Sequence, residues 1–151
     1  MDMVNLIEHL NADGVIDLAR TVLFSRSIGC MFLTYLSAIY KLKACVMYYP
    51  FTSVKGVVKS KFGAFVALGV QENDFQEPIH YIKQNLNPTL IVHGEQDELI
   101  DTSHAYSLME NSGSQCEVKI IQDMGHEIDL RFEHLIIPLN RFFIDHIYPE
   151  G

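Results

Sequence analysis

The sequence predicts an α/β fold, a parallel sheet with helices on both faces, and three observations predict it. Short β-favouring runs alternate with stretches of helical spacing along the whole chain. Two central runs, residues 44–49 and 89–93, are almost continuously apolar, as strands covered on both sides are. Each of those two is closed by a breaker, Pro50 and Gly94.

The elements follow in order. Met3, Leu6, Ile7 and Leu10 fall at helical spacing, so residues 3–10 predict an amphipathic helix with residues 11–14 as its stop. Residues 21–24 are a short strand, 25–29 a sharp turn, and 28–40 a mostly apolar helix long enough to be buried. The strand 44–49 follows, and Asn87 and Pro88 lead into the strand 89–93. Asp101 or Thr102 can cap a helix that runs to about Asn111 and stops at Gly113, and residues 117–121 make a fourth strand. Pro138 suits the first turn of a last helix, on which Leu139, Phe142, Phe143 and Ile147 share a face. Right-handed crossovers would connect these strands. Between Phe51 and Leu86 the pattern weakens, with Gly56, Gly63, Gly69 and the acidic stretch 71–78. It predicts helices interrupted by a loop, a lid-like insertion around residues 51–86, in which Glu72, Asp74 and Glu77 are solvated.

At 151 residues, 48% hydrophobic and 20% charged, the chain falls among globular proteins, and one domain spanning residues 1–151 is expected. A formal charge of -8 offers no footprint for nucleic acid or an anionic membrane, both of which attract clustered Lys and Arg. Cys30, Cys45 and Cys116 are odd in number and form no C-x-x-C pair, which favours a reducing, cytoplasmic setting. Asp2, Asn5, Glu8 and His9 break any signal-peptide core, and no apolar stretch reaches the ~20 residues of a membrane span. His9, His80, His134 and His146 lack the paired spacing of a metal site, and neither a metal nor a cofactor is expected.

Candidate chemistry collects just past three strands. Ser27 follows the strand 21–24, Asp97 the strand 89–93 and His126 the strand 117–121. In an open parallel sheet, sites form beyond the carboxyl ends of the strands. A serine hydroxyl is a weak nucleophile that needs a base to take its proton and a buried carboxylate to orient that base. Ser25-Arg26-Ser27-Ile28-Gly29 matches the nucleophile elbow G-x-S-x-G with Ser25 in place of the first glycine, and the Ile28 N–H is aimed to donate to a developing oxyanion. Taken singly, Ser27 reads as a helix cap, Asp97 as a turn residue and His126 as a loop histidine. Their order and shared placement favour the triad. His93 reads as packing or hydrogen bonding at a strand end, His104 as lying on a helix face, and Cys30 as a small buried residue.

Residues 22–29, the segment His93-Gly94-Glu95-Gln96-Asp97-Glu98-Leu99-Ile100 and Met124-Gly125-His126-Glu127 resemble the elbow, acid loop and histidine loop of the α/β-hydrolase superfamily. The wording of the acid loop is most similar to the branch of palmitoyl-protein thioesterases and lysophospholipase-like esterases. The resemblance implies the carboxy-terminal half of that fold, about four strands. Members begin with about four further strands and a loop bearing a second oxyanion donor, whereas Met1 opens on the helix before the nucleophile strand. The strand 21–24 would then be an open edge through which the chain self-associates.

Two functions remain open. One is a serine hydrolase that cleaves an ester or thioester with an apolar acyl group through an acyl-enzyme on Ser27. The other is a non-catalytic fragment or degenerate hydrolase acting as a binding or structural unit.

Overall fold

The computed structural model describes residues 3–71, 77–127 and 132–148. The acidic loop expected at 71–78 therefore lies largely outside the described residues, Glu72 and Asp74 included. The helices are α1 (Met3–Ala12), α2 (Gly29–Ile39), α3 (Val54–Phe62), α4 (Ala64–Ala67), α5 (Pro78–Ile82), α6 (Ser103–Glu110) and α7 (Phe132–His146). The strands β1 (Val22–Arg26), β2 (Ala44–Tyr48), β3 (Thr89–Gly94) and β4 (Cys116–Ile121) lie in the order β1-β2-β3-β4, each pair parallel.

Every residue of β2 and β3 is buried, because alternate side chains feed a core on each side of the sheet. On one side Ala44, Val46, Tyr48, Leu90 and Val92 meet Phe142 of α7 and Ile147 just past its end, with Val54 and Val57 of α3 packed against them. On the other, Cys45, Met47 and Ile91 meet Leu33 of α2, Ile82 of α5, and Ala105 and Leu108 of α6. A short hydrogen-bonding network closes the amino-terminal edge of β3. Asn87 accepts from the Leu42 N–H at 2.7 Å and donates to the carbonyls of Ser37 and Tyr40.

Two local expectations need correction. Strand β1 runs two residues further than Phe24, because Ser25 and Arg26 stay in parallel register with Met47 and Tyr48. The last helix begins at Phe132, so Pro138 lies in its interior rather than its first turn. Proline there removes the N–H that would bond the carbonyl four residues back, and the Tyr48 hydroxyl donates to that carbonyl, of His134, at 3.4 Å. At α6, Asp101 is the one of the two expected capping residues that serves, accepting from the Ser103 N–H at 2.9 Å, while the Thr102 side chain makes no cap. Helix α1 forms as expected, yet none of its residues is buried, and Met3 and Leu6 are exposed.

Candidate functional site

Strand β1 ends in a turn that only a strained residue can complete. Ser27 has φ +49°, in the left-handed region that costs a non-glycine residue ~1 kcal/mol. Its N–H is held by the Tyr48 carbonyl at 2.8 Å, and α2 starts two residues later. The turn thus lifts the Ser27 hydroxyl off the end of the sheet. The departure at Ser25 is accommodated: a Cβ on Gly29 would sit 3.6 Å from the Ser25 Cβ, ordinary contact. The Ser25 hydroxyl turns to the Cys30 sulfur at 3.2 Å. Burial pushes the Cys30 thiol up to about 12, so it stays protonated and inert. Ile28 stands at the helix start, where N–H groups have no helical carbonyl to bond, and its side chain is exposed.

The acid and histidine loops are locked to each other. Gly94 closes β3 where the histidine loop crosses it; a Cβ there would lie 2.0 Å from the Met124 carbonyl oxygen, so only glycine fits. The Gln96 N–H reaches that same carbonyl at 3.0 Å, and the Glu95 N–H reaches Ile121 at 2.9 Å.

Across these loops the structure brings all three predicted residues together. Ser27 Oγ lies 3.2 Å from His126 Nε2, and His126 Nδ1 lies 2.8 Å from Asp97 Oδ2. A carboxylate only accepts, so Nδ1 carries the proton and Nε2 turns its lone pair to the serine. Such a chain can take a proton from Ser27 as its oxygen attacks a carbonyl. The Asp97 side chain is fully buried, its other oxygen accepting from the Leu99 and Ile100 N–H groups, each at 2.9 Å. Burial pushes its carboxyl up, but bonds from His93, Ile100, His126 and Leu99 outweigh it and hold it well below the usual carboxylate range.

Three neighbours, His93, Tyr49 and Arg26, surround these residues. His93, buried, puts Nε2 2.8 Å from the Ile100 carbonyl, so it does hydrogen-bond at a strand end, and the same nitrogen lies 3.4 Å from Asp97 Oδ2. Its Nδ1 is buried with no hydrogen-bond partner among the described residues. Tyr49, with φ +52°, stacks its ring 5.0 Å from His126 and 5.8 Å from His93, and its hydroxyl donates to the Glu127 carbonyl at 2.7 Å. Arg26 places its guanidinium 5.4 Å over the Tyr49 ring and donates to the His126 carbonyl. The elbow is thereby tied to the histidine loop on both sides of the tyrosine. The one signal in the sequence was an arginine inside the elbow. His104, expected on a helix face, is turned inward from α6 to Thr52, whose hydroxyl is 2.8 Å from Nδ1.

Residues 1–140 match the prolyl oligopeptidase family. The chain belongs to that family. That family lies within the α/β-hydrolase superfamily, in agreement with the parallel sheet flanked by helices. Human alpha/beta hydrolase domain-containing protein 17B is 28% identical over 117 residues, 77% of this chain and 39% of the relative, and the Xenopus laevis protein of that name matches equally. The chain thus spans about 39% of the length of the curated relatives it matches. Among solved structures, the esterase domain of a Rhodothermus marinus protein superposes with a TM-score of 0.71 at 13% identity, over 97% of this chain and 68% of its own. A puromycin-hydrolyzing peptidase of Mycobacterium tuberculosis gives 0.72 at 13%, over 95% of this chain and 24% of its own. Acetyl xylan esterase 1 of Thermoanaerobacterium gives 0.68 at 19%, over 93% and 50%. Likeness at these identities concerns the fold.

Among the described residues no cluster of three or more His, Cys, Asp or Glu is placed to hold a metal ion, and no helix is long and apolar enough to cross a membrane.

Proposed function

We propose that this member of the prolyl oligopeptidase family is a serine hydrolase for esters or thioesters with an apolar acyl group. Ser27 attacks the acyl carbonyl, His126 takes its proton and returns it to the leaving group, and Asp97 orients the imidazole. The Ile28 N–H donates to the oxyanion, and water then releases the acid from the Ser27 acyl-enzyme. The observation that carries this reading is the unbroken path from Ser27 Oγ through both nitrogens of His126 to Asp97, at 3.2 and 2.8 Å. The similarity of the acid loop to palmitoyl-protein thioesterases supports the choice of acyl group.

The same proposal takes residues 1–151 as one partial domain, with 51–86 as a lid-like insertion. Its support is that Lys61 of α3 donates to the Glu98 carbonyl at 2.7 Å, tying that segment to the acid loop. A cytoplasmic setting belongs to it as well, in keeping with the free thiols of Cys30, Cys45 and Cys116.

A fluorophosphonate probe tests the nucleophile. Ser27→Ala should abolish labelling, and Cys30→Ala should leave it within about twofold of the parent, since a buried neutral thiol does not compete. Equal labelling of the Ser27→Ala chain would overturn the assignment and leave the non-catalytic binding unit in its place.

A further inference from the structure

Arg26 stands one residue before the nucleophile, and the reaction written above makes no use of it. Its Nε is buried with no hydrogen-bond partner among the described residues. Withdrawing such a group from water is costly, so a side chain that only filled this space would be better apolar. What the guanidinium gains is a place 5.4 Å over the Tyr49 ring and a bond donated to the His126 carbonyl. A planar guanidinium can stack and donate at once. The value of that bond follows from how the rest of the site is fastened. The histidine loop is held to the acid loop by the Gln96 N–H on the Met124 carbonyl, at 3.0 Å, and by His126 Nδ1 against Asp97 at 2.8 Å. Both fix His126 relative to Asp97. Neither fixes it relative to Ser27, which follows β1, with β2 between that strand and β3. Among the described residues the elbow reaches the histidine loop by the 3.2 Å contact of Ser27 Oγ with Nε2 and by Arg26 on the carbonyl of the same histidine.

We propose that Arg26 is a positioning residue for the hydrolysis: by holding the His126 carbonyl it sets the imidazole against the Ser27 hydroxyl and takes part in no bond change. The inference rests on the serine hydrolase reading. Adjacency makes the tie stiff, because the backbone that lifts the Ser27 hydroxyl at φ +49° also carries the guanidinium. From the end of β2, Tyr49 supports the same loop through the neighbouring Glu127 carbonyl at 2.7 Å. A misplacement of about 1 Å between reacting groups costs on the order of 10²-fold in rate, so a bond that fixes this one distance has a large effect. The elbow pattern G-x-S-x-G leaves the residue before the serine open, so the arginine is a feature of this chain rather than of the motif. An arginine with a structural role alone would support the fold and the pairing of His126 with Asp97 together. A positioning arginine acts on the serine side of His126.

The test is labelling of the full chain by a fluorophosphonate, with the rate of covalent reaction separated from reversible affinity for the probe. Arg26→Met should lower the covalent rate at least about tenfold and leave the affinity within about twofold of the parent. Arg26→Lys, whose ammonium is still a donor of nearly the same reach, should recover to within about threefold of the parent. The far-downfield proton resonance of His126 Nδ1–H on Asp97 should persist in each variant, because the acid loop fixes that pair. If Arg26→Met lacks a cooperative melt, Arg26→Gln gives the same readout, since its amide is polar but too short to reach the carbonyl. Labelling of Arg26→Met at the parental rate, or of Arg26→Lys no faster than Arg26→Met, overturns the assignment. Loss of the His126 resonance together with labelling also overturns it and makes Arg26 a structural residue. A parent that labels no faster than Ser27→Ala overturns the hydrolase reading itself, and the role of Arg26 with it.

Discussion

Asp97 shows how a single carboxylate is made into an orienting group. The hydrogen bonds it accepts from His126, Leu99 and Ile100, with His93 3.4 Å away, all serve the charged form, which is why they prevail over the burial that opposes it. That balance has a consequence for stability. A carboxyl whose folded pKa is depressed contributes stability that is fully present above its unfolded value of about 4, and loses it as pH falls toward the folded value. Asp97→Asn cannot titrate and should be less stable than the parent at neutral pH. The gap should shrink on acidification below about pH 4, where the parent begins to lose the contribution. Urea midpoints of both chains across that range measure it, and a gap that stays constant down to about pH 2 would count against an anionic, hydrogen-bonded Asp97.

Among the elements, β1 carries the largest unmet demand. It stands at the end of the sheet, bonded to β2 on one side, and exposes Val22 and Phe24, the latter at 55% with its ring 5.2 Å from Tyr48. Natural sheets cover or charge such an edge because its N–H and C=O groups template further pairing. The chain should therefore self-associate, with β1 as the contact. Sedimentation velocity over a concentration series should show species larger than the monomer. Phe24→Lys, which places a charge on the edge without touching β2 register, should shift them toward the monomer. A parent chain that stays monomeric throughout would show that β1 is not adhesive.

At the scale of the whole molecule, the chain covers 39% of the curated relatives and 24% to 68% of the solved structures cited above. The superfamily resemblance places a second oxyanion donor on a loop ahead of the nucleophile strand, and one such donor is worth about 10² to 10³ in rate. The chain alone should accordingly label slowly at Ser27 and turn over p-nitrophenyl esters or palmitoyl thioesters weakly. Joined to the upstream segment that the superfamily resemblance implies, it should gain at least about 10²-fold in turnover. No gain from a folded, extended protein would favour the binding-unit reading.

The sequence by itself determined the strands, their parallel arrangement and the loops bearing Ser27, Asp97 and His126. Apolar runs ended by breakers and the placement of polar residues just beyond them are local patterns, and local patterns survive in one dimension. It also marked Gly94, though not its reason, which is a carbonyl thirty residues along the chain. What only the tertiary structure decided were interactions between distant segments. Arg26, Tyr49 and His126 form one stack across a separation of 100 residues, and Pro138 is tolerated inside α7 because Tyr48 supplies its missing donor. The outward turn of Phe62 and Phe65, both exposed, is of the same kind. Apolar spacing predicts that a helix has a buried face, but whether another element arrives to cover that face depends on packing that no single stretch of sequence encodes.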